Sequence, residues 1–403
     1  MSMSTTRSAT LLVVLAYVGF VSLGLPDGLL GVATPSIRAT FALAPQDLGE
    51  LFLSFTAGYL LSSFVSARLV ARLGVGTLLA ASCLATALSL GGYATTASWW
   101  TMLACTALAG LGAGAIDAAL NTWVATHHGP RTVNWLHACY GVGATAGPIV
   151  MTAVLAADRS WRLGYALVGA AQLVLALCFA ATRRRWSEPA HDVLDAAAPQ
   201  ETSRHVPMRE TLRLAAAWLG AASFFLYTGL EATTGIWTYS MLTQSRGVPI
   251  AEAGSWTSAF WAGLMVGRFL FGFIAERAPL AVLLRACLAV LGCGALLLAL
   301  DAGAVASAVG LVLCGLAMAP IFPSLIASTP ARVGLRHTGN AVGMQIAGAT
   351  LGASLVPAAT GLIVGRVGLE VVAPVVLAGT LALALLHEVL ARLPHVHEAR
   401  LGT

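Results

Sequence analysis

Long apolar runs, each broken by a few polar residues, repeat from one end of this chain to the other. They fall near residues 9–33, 48–70, 74–96, 99–124, 134–157 and 162–182, then 213–241, 253–275, 279–300, 303–328, 338–362 and 369–391. A helix needs roughly 20 apolar residues to cross about 30 Å of hydrocarbon, and each run is about that long. The runs are continuous and show no alternation of period two, so they predict helices rather than barrel strands. The first follows Arg7 as a signal peptide would. It runs on too far for one and has eleven successors, so it reads as an uncleaved first span.

One stretch is long and polar, "RRRWSEPAHDVLDAAAPQETSRHVPMRE" at residues 183–210, with Pro189, Pro199 and Pro207 inside it. It reads as a linker and predicts two six-helix bundles, 1–182 and 213–403, joined by 183–212. Composition agrees with burial in lipid. Hydrophobic residues make up 58% and charged ones 10%, where a soluble domain carries about 25% charged. Every basic residue is arginine. Arg68, Arg72, Arg131, Arg183–Arg185, Arg204, Arg209, Arg277, Arg332 and Arg336 fall on one set of loops, and Arg38, Arg159, Arg162, Arg246 and Arg366 on the other. The positive-inside rule makes the richer side cytoplasmic and puts both termini there, in a plasma or inner membrane. The net charge of +5 is thus an orientation signal, with no soluble basic face for nucleic acid. The seven cysteines lie within apolar stretches without a CxxC, so no disulfide framework or metal site is expected. A phosphate loop of the form G-x-x-x-x-G-K-[ST] needs a lysine this chain lacks, and no cofactor or enzyme activity is indicated.

Sliding the sequence on itself by 205 residues brings the halves into register. "GLGAGAIDAAL" from Gly110 lies over "GLAMAPIFPSL" from Gly315, and "GATAGP" from Gly143 over "GATLGA" from Gly348. Gly58 meets Gly263 and Arg72 meets Arg277; at an offset of 204, Asp27 meets Glu231 and Gly31 meets Gly235. One offset recurring in separate span pairs is the mark of a duplicated six-helix unit. Two such halves resemble the major facilitator transporters, which implies a substrate site near the midplane between halves that rock about it. "ARLVARLG" at residues 67–74 resembles that superfamily's loop signature, with Ala67 and Ala71 in place of its glycine and aspartate. The second copy, "GFIAERAP" from Gly272, is the better match, so the resemblance implies a conformational latch at Arg72, Glu276 and Arg277.

"GAIDAALNTW" places Asp117 in an apolar run with no other charge from Trp99 to Val124. A charge at mid-helix costs about 2.5–3.5 kcal/mol on insertion scales, so it is seldom kept without use. Asp117 and Asn121, four apart, share a helix face, while the second half has Phe322 and Ile326 in their places. Asp27 follows Pro26, which frees the carbonyl of Ser22 and bends the span among Gly24, Gly28 and Gly31. Glu231 sits at the matching depth of the seventh span, and pairing with an arginine is its structural alternative. Glu50, near a helix end, is set aside. Burial favours a protonated carboxyl, so Asp27, Asp117 and Glu231 are candidates for proton coupling, each with its own role and not as a dyad.

"LPDGLLGVATP" in span one and "DAALN" in span four resemble the fucose:proton symporter family and its glucose and galactose relatives. "LHACYGVGA" in span five and "FLYTGLEATTGIW" in span seven resemble other branches of it. That resemblance implies proton-coupled symport of a sugar or polyol by a monomer. Asn121, His137, Tyr140 and Gln345 could then bond hydroxyls, and Trp237 could cover a sugar face or anchor at the lipid interface. His137 could also relay protons to Asp117, or only cap a helix end. Sodium could replace the proton, and proton-driven efflux of an amphipathic compound is the alternative function.

Overall fold

The computed structural model describes residues 3–128, 130–186, 206–274 and 279–393 of the chain. No strand occurs among the described residues. In the first half the long helices are α1 (Met3–Phe41), α2 (Leu48–Leu73), α3 (Val75–Thr95), α4 (Trp99–His127), α5 (Pro130–Ala156) and α6 (Trp161–Thr182). In the second they are α7 (Ala215–Ser240), α8 (Ile250–Ile274), α9 (Leu280–Ala299), α10 (Ala304–Met318), α11 (Ile321–Val333), α12 (Thr338–Val367) and α13 (Val372–Arg392). Among the described residues, 10 spans are long and apolar enough to cross a membrane. The other two long helices, α7 and α8, have 26 and 25 residues and carry Glu231 and Arg268.

The helices follow the apolar runs, with three differences that have physical causes. The tenth span is not one helix. It stops at Met318 and restarts at Ile321, because Pro320 has no N–H to continue the ladder, and it ends at Val333 rather than near 328. The first span extends beyond its apolar run at both ends; 39 residues make about 58 Å of helix, so its ends stand outside the hydrocarbon. The fifth begins at Pro130, a residue suited to a first helical turn. Glycines at left-handed angles, Gly74 at φ 77° and Gly334 at φ 83°, end α2 and α11.

Pro26 does not break α1, although it leaves the carbonyl of Ser22 without its helical donor. The buried side chain of Gln172 on α6 supplies the missing bond, Nε2 donating to that oxygen at 2.9 Å.

The chain divides into two units, Met1–Ala198 with Pro249–Ser258, and Pro199–Val248 with Ala259–Thr403. Inside each, the same pairs are in contact. In the first unit α1 packs on α5, α3 on α4 and α3 on α6; in the second α7 packs on α12, α9 on α10 and α9 on α13. The repeated glycines lie at the α1–α5 and α7–α12 seams and at those of α2 with α4 and α8 with α10. A Cβ on Gly143 would strike the carbonyl of Val21, and one on the matching Gly348 the carbonyl of Ala221. Gly110 and Gly315 meet Phe55 and Phe260 in the same way. Without water to drive helices together, close backbone approach at small residues supplies the packing.

Candidate functional site

Two of the acids are held by one local device. Asp117 lies three residues after Gly114, and a Cβ at Gly114 would meet the carbonyl oxygen of Tyr59 on α2. That approach brings the Tyr59 ring over α4, where its hydroxyl donates to Asp117 Oδ2 at 2.6 Å. Asn121, one turn on, donates Nδ2 to Asp117 Oδ1 at 3.0 Å. Asp27 lies three residues after Gly24, and a Cβ at Gly24 would meet the carbonyl oxygen of Tyr140 on α5. The Tyr140 hydroxyl donates to Asp27 Oδ2 at 2.7 Å. Glycine, two residues, aspartate, and a tyrosine on the facing helix thus occur twice in the first half. Both aspartates are half-buried, and Tyr59 lies within electrostatic reach of both.

The second half handles its acid differently. Glu231 accepts from the hydroxyl of Tyr227, one turn back on α7 itself. Its Oε2 lies 4.0 Å from a guanidinium nitrogen of Arg268 on α8, with side chains 15% and 24% exposed respectively. Phe322, at the place that Asp117 holds in the first half, packs on Phe224 and Tyr227 with ring centroids 4.9 and 6.2 Å away. The two hydrogen-bond donors on Asp117 are neutral, whereas Glu231 has a cation beside it. Neutral donors orient a carboxylate without balancing its charge; a guanidinium balances it.

The remaining expected residues scatter. His137 is exposed, its ring edge-on to Phe20 at 5.5 Å. Trp237 is 0% exposed and donates Nε1 to the carbonyl of Pro357 at 3.0 Å. The ring is thus fully buried between α7 and α12. Gln345 is buried in an amide–hydroxyl pair with Thr329, at 2.9 and 3.1 Å. Arg72 is exposed in the last turn of α2; Glu276 and Arg277 lie outside the described residues. Glu50, exposed, accepts from the Trp99 indole at 2.8 Å. A groove of about 440 Å³ runs between α9 and α13, lined by Leu288, Cys293, Leu377, Leu381 and the Arg285–Glu388 pair, apart from every acid above.

Sequence reasoning missed Tyr59, Tyr227 and Arg268. Arg268 was open to the criterion that found Asp117, since it is a single charge in the apolar run from Trp256 to Ile274. Tyr59 and Tyr227 carry no charge to mark them in an apolar run.

Two repeats of helices long and apolar enough to cross a membrane, each holding a carboxylate within its spans, define a multi-pass membrane protein. The chain belongs to the Major Facilitator Superfamily, whose family model matches residues 16–339 and 219–401. Among its relatives is Bypass of stop codon protein 6 of Saccharomyces cerevisiae, 26% identical over 294 residues, 68% of this chain and 59% of that one. The hexuronate transporter of Bacillus subtilis is 25% identical over 256 residues, 61% of this chain and 60% of its own. The glucose/mannose transporter GlcP of the same species is 22% identical over 354 residues, 84% of each chain. The chain thus spans about three fifths of the length of the first two. A bacterial homologue of the human lysosomal transporter Spinster, solved inward-facing and occupied, superposes with a TM-score of 0.76 at 15% identity, covering 96% of this chain and 97% of that one. The nucleoside transporter NupG gives 0.74 at 14%, covering 93% and 98%. These structures share the fold.

Proposed function

We propose that this chain is a proton-coupled symporter of a sugar or sugar-like solute, with Asp117 as its proton-binding group. The observation that carries this reading is the setting of Asp117: a carboxylate deep in an apolar helix, oriented by Tyr59 and Asn121 but given no counter-charge by either. A proton is the smallest ligand that removes such a charge, and removing it makes passage through a closed state affordable. Asp27 and Tyr140 form the neighbouring acid–phenol pair, and Asn121 has amide capacity to offer a hydroxyl. The glucose/mannose and hexuronate carriers among the relatives support the substrate class.

The test is uptake of labelled hexoses and hexuronates into proteoliposomes with and without an inward proton gradient. Asp117→Asn is expected to abolish gradient-driven accumulation while retaining passive counterflow. Uptake of none of these solutes under any gradient, with proton release on addition of an amphipathic cation, would replace symport by efflux.

A further inference from the structure

We infer that the groove between α9 and α13 seats one phospholipid, with an acyl chain along its apolar length and the phosphodiester on Arg285. The site is independent of the carrier reading above, since neither Asp27, Asp117, Glu231 nor Arg268 lines it.

Residue spacing lays the groove out. On α9, Arg285, Ala289, Gly292 and Leu296 recur at intervals of four, three and four, which puts them on one helix face. On α13, Leu377, Ala384 and Glu388 do the same. Arg285, early in α9, pairs with Glu388, late in α13, so the two helices run in opposite directions. Ala289 and Ala384 then fall at one depth, a turn below the charged pair. Small side chains there leave a gap rather than a ridge, and a Cβ added at Gly292 would meet nothing within 4 Å. The cavity of about 440 Å³ is within the range of small-molecule sites, about 300–1,000 Å³.

Its length is that of one leaflet. From Arg285 to Leu296 is about 16 Å at 1.5 Å per residue, near half of the about 30 Å of hydrocarbon. Charge is confined to one end. The pair lies within about two turns of the ends of its helices, where long side chains reach the headgroup level. Further down, the hydroxyl of Thr380 is returned to its own helix, donating to the carbonyl of Val376 at 2.7 Å. Leu296 and Leu381 on the walls are exposed. Within a membrane span such side chains face hydrocarbon, and an apolar cleft between them is filled by the same substance.

The charged end has a donor to offer. Arg285 gives Glu388 two bonds, Nε to Oε1 at 2.5 Å and Nη2 to Oε2 at 2.9 Å, and among the described residues its Nη1 bonds nothing. An N–H without an acceptor is costly beside hydrocarbon. Arg392, exposed in the last turn of α13, lies within electrostatic reach of Glu388. Two guanidinium groups and one carboxylate leave a net positive charge, the complement of a phosphodiester. Guanidinium is also the side chain suited to phosphate, and basic pockets between membrane helices hold lipid headgroups in this way. A neutral lipid fills the length and leaves Nη1 unanswered. A free phosphate answers Nη1 and leaves the length empty. A phospholipid does both.

The experiment is native mass spectrometry of the purified, delipidated full-length protein, titrated with dioleoyl phosphatidylglycerol, dioleoylglycerol and glycerol phosphate. One phosphatidylglycerol is expected to bind at least ~10-fold more tightly than dioleoylglycerol, the margin of one charge-assisted hydrogen bond. Glycerol phosphate should not be retained. Arg285→Gln should bring the two lipids level. Glu388→Gln should tighten phosphatidylglycerol, because it releases the rest of the guanidinium to the phosphate; a pair that only braces α9 against α13 would not give that sign. Gly292→Leu fills the groove and should weaken both lipids. Leu385→Ala, exposed on α13 but outside the groove, should change neither. Each variant is first checked for monodisperse elution, and should Arg285→Gln fail to fold, Glu388→Gln and Gly292→Leu still decide. Equal binding of the two lipids, or binding unchanged in Arg285→Gln and Gly292→Leu, overturns the inference. So does glycerol phosphate held as tightly as the phospholipid, which would leave an anion site alone. A lipid-free dimer broken by Gly292→Leu would give the groove to a second copy instead. None of these outcomes touches the carrier reading, which the uptake assay tests separately.

Discussion

Proline 26 shows how a single residue can commit a distant one. Without an N–H it cannot donate to Ser22, and a buried carbonyl lacking a donor costs about 1–3 kcal/mol. Gln172 on α6 supplies that donor at 2.9 Å, while its own Oε1 stays buried without a hydrogen-bond partner. A glutamine fully inside an apolar helix is otherwise hard to explain. The two should therefore be coupled: Gln172→Leu is expected to lower the unfolding temperature in the parent. In a Pro26→Ala background, where the restored backbone N–H donates to Ser22 itself, the same change should cost at least ~1 kcal/mol less. Thermal unfolding of the four proteins in one detergent reads this directly. Equal losses in both backgrounds would show that Gln172 matters through packing alone. The freed Ser22 carbonyl was legible in the sequence, since proline chemistry is local. Its partner was not, because nothing in the residues around 172 says which helix they will face. The same limit separates Asp117 and Asn121, a pair set by helix periodicity, from Tyr59, which arrives from another helix. The burial of Trp237 was hidden for a related reason: its type suits a sugar face or an interface equally, and only the packing of α7 on α12 encloses it.

Helix pairs set the acids in place through glycine. Gly24 and Gly114 each precede an aspartate by three residues, and each admits the backbone of the tyrosine that bonds that aspartate. In the interior of an exposed helix, glycine to alanine is worth roughly 0.5–1 kcal/mol in alanine's favour. At Gly114 the new Cβ would meet the Tyr59 carbonyl and the hydroxyls of Ser62 and Ser63. A backbone oxygen cannot swing aside, so α2 and α4 must separate and take Tyr59 from Asp117. Gly114→Ala is thus expected to destabilise by roughly 1–3 kcal/mol, as overpacking does, and to impair uptake in step. Gly292→Ala on α9, where nothing lies within 4 Å of the added carbon, should be neutral or stabilising. If both changes behave alike in thermal unfolding and uptake, close approach is not what positions Asp117. The spans themselves were readable from apolar runs because lipid demands a fixed length of helix. The break at Pro320 escaped because an apolar run looks the same whether or not the ladder within it is continuous.

At the scale of the whole chain, duplication kept the scaffold and let the chemistry diverge. The glycine seams recur at one offset, yet Phe322 stands in the second repeat where the first has Asp117, and Ser63 of α2 stands where α8 has Arg268. Each half therefore has to be intact within itself before it can contribute its acid. This makes a sharp expectation for breaks in the backbone. A break placed within residues 187–205, with the two fragments co-expressed, should leave most of the uptake of the intact chain. That polar stretch is rich in proline and charge, and no apolar run of either repeat passes through it. A break at Gly247 falls at an exposed residue of a much shorter connection, and by exposure alone it should be as harmless. It is not equivalent, because it parts α7 from α8, and with them Glu231 from Arg268. It also falls beside Arg246, whose side chain is 6% exposed and bonds Glu370, Ser307 and the carbonyl of Leu298. The ends of α7, α9, α10 and α13 meet at that one side chain, and a nick beside it frees the peptide that holds it in place. Uptake should fall far below that of the linker-split protein, with both fragments still present in the membrane by immunoblot. Equal uptake from the two split proteins would mean that the second half tolerates separation of its charged pair, and that its charge balance does not depend on α7 and α8 being one chain.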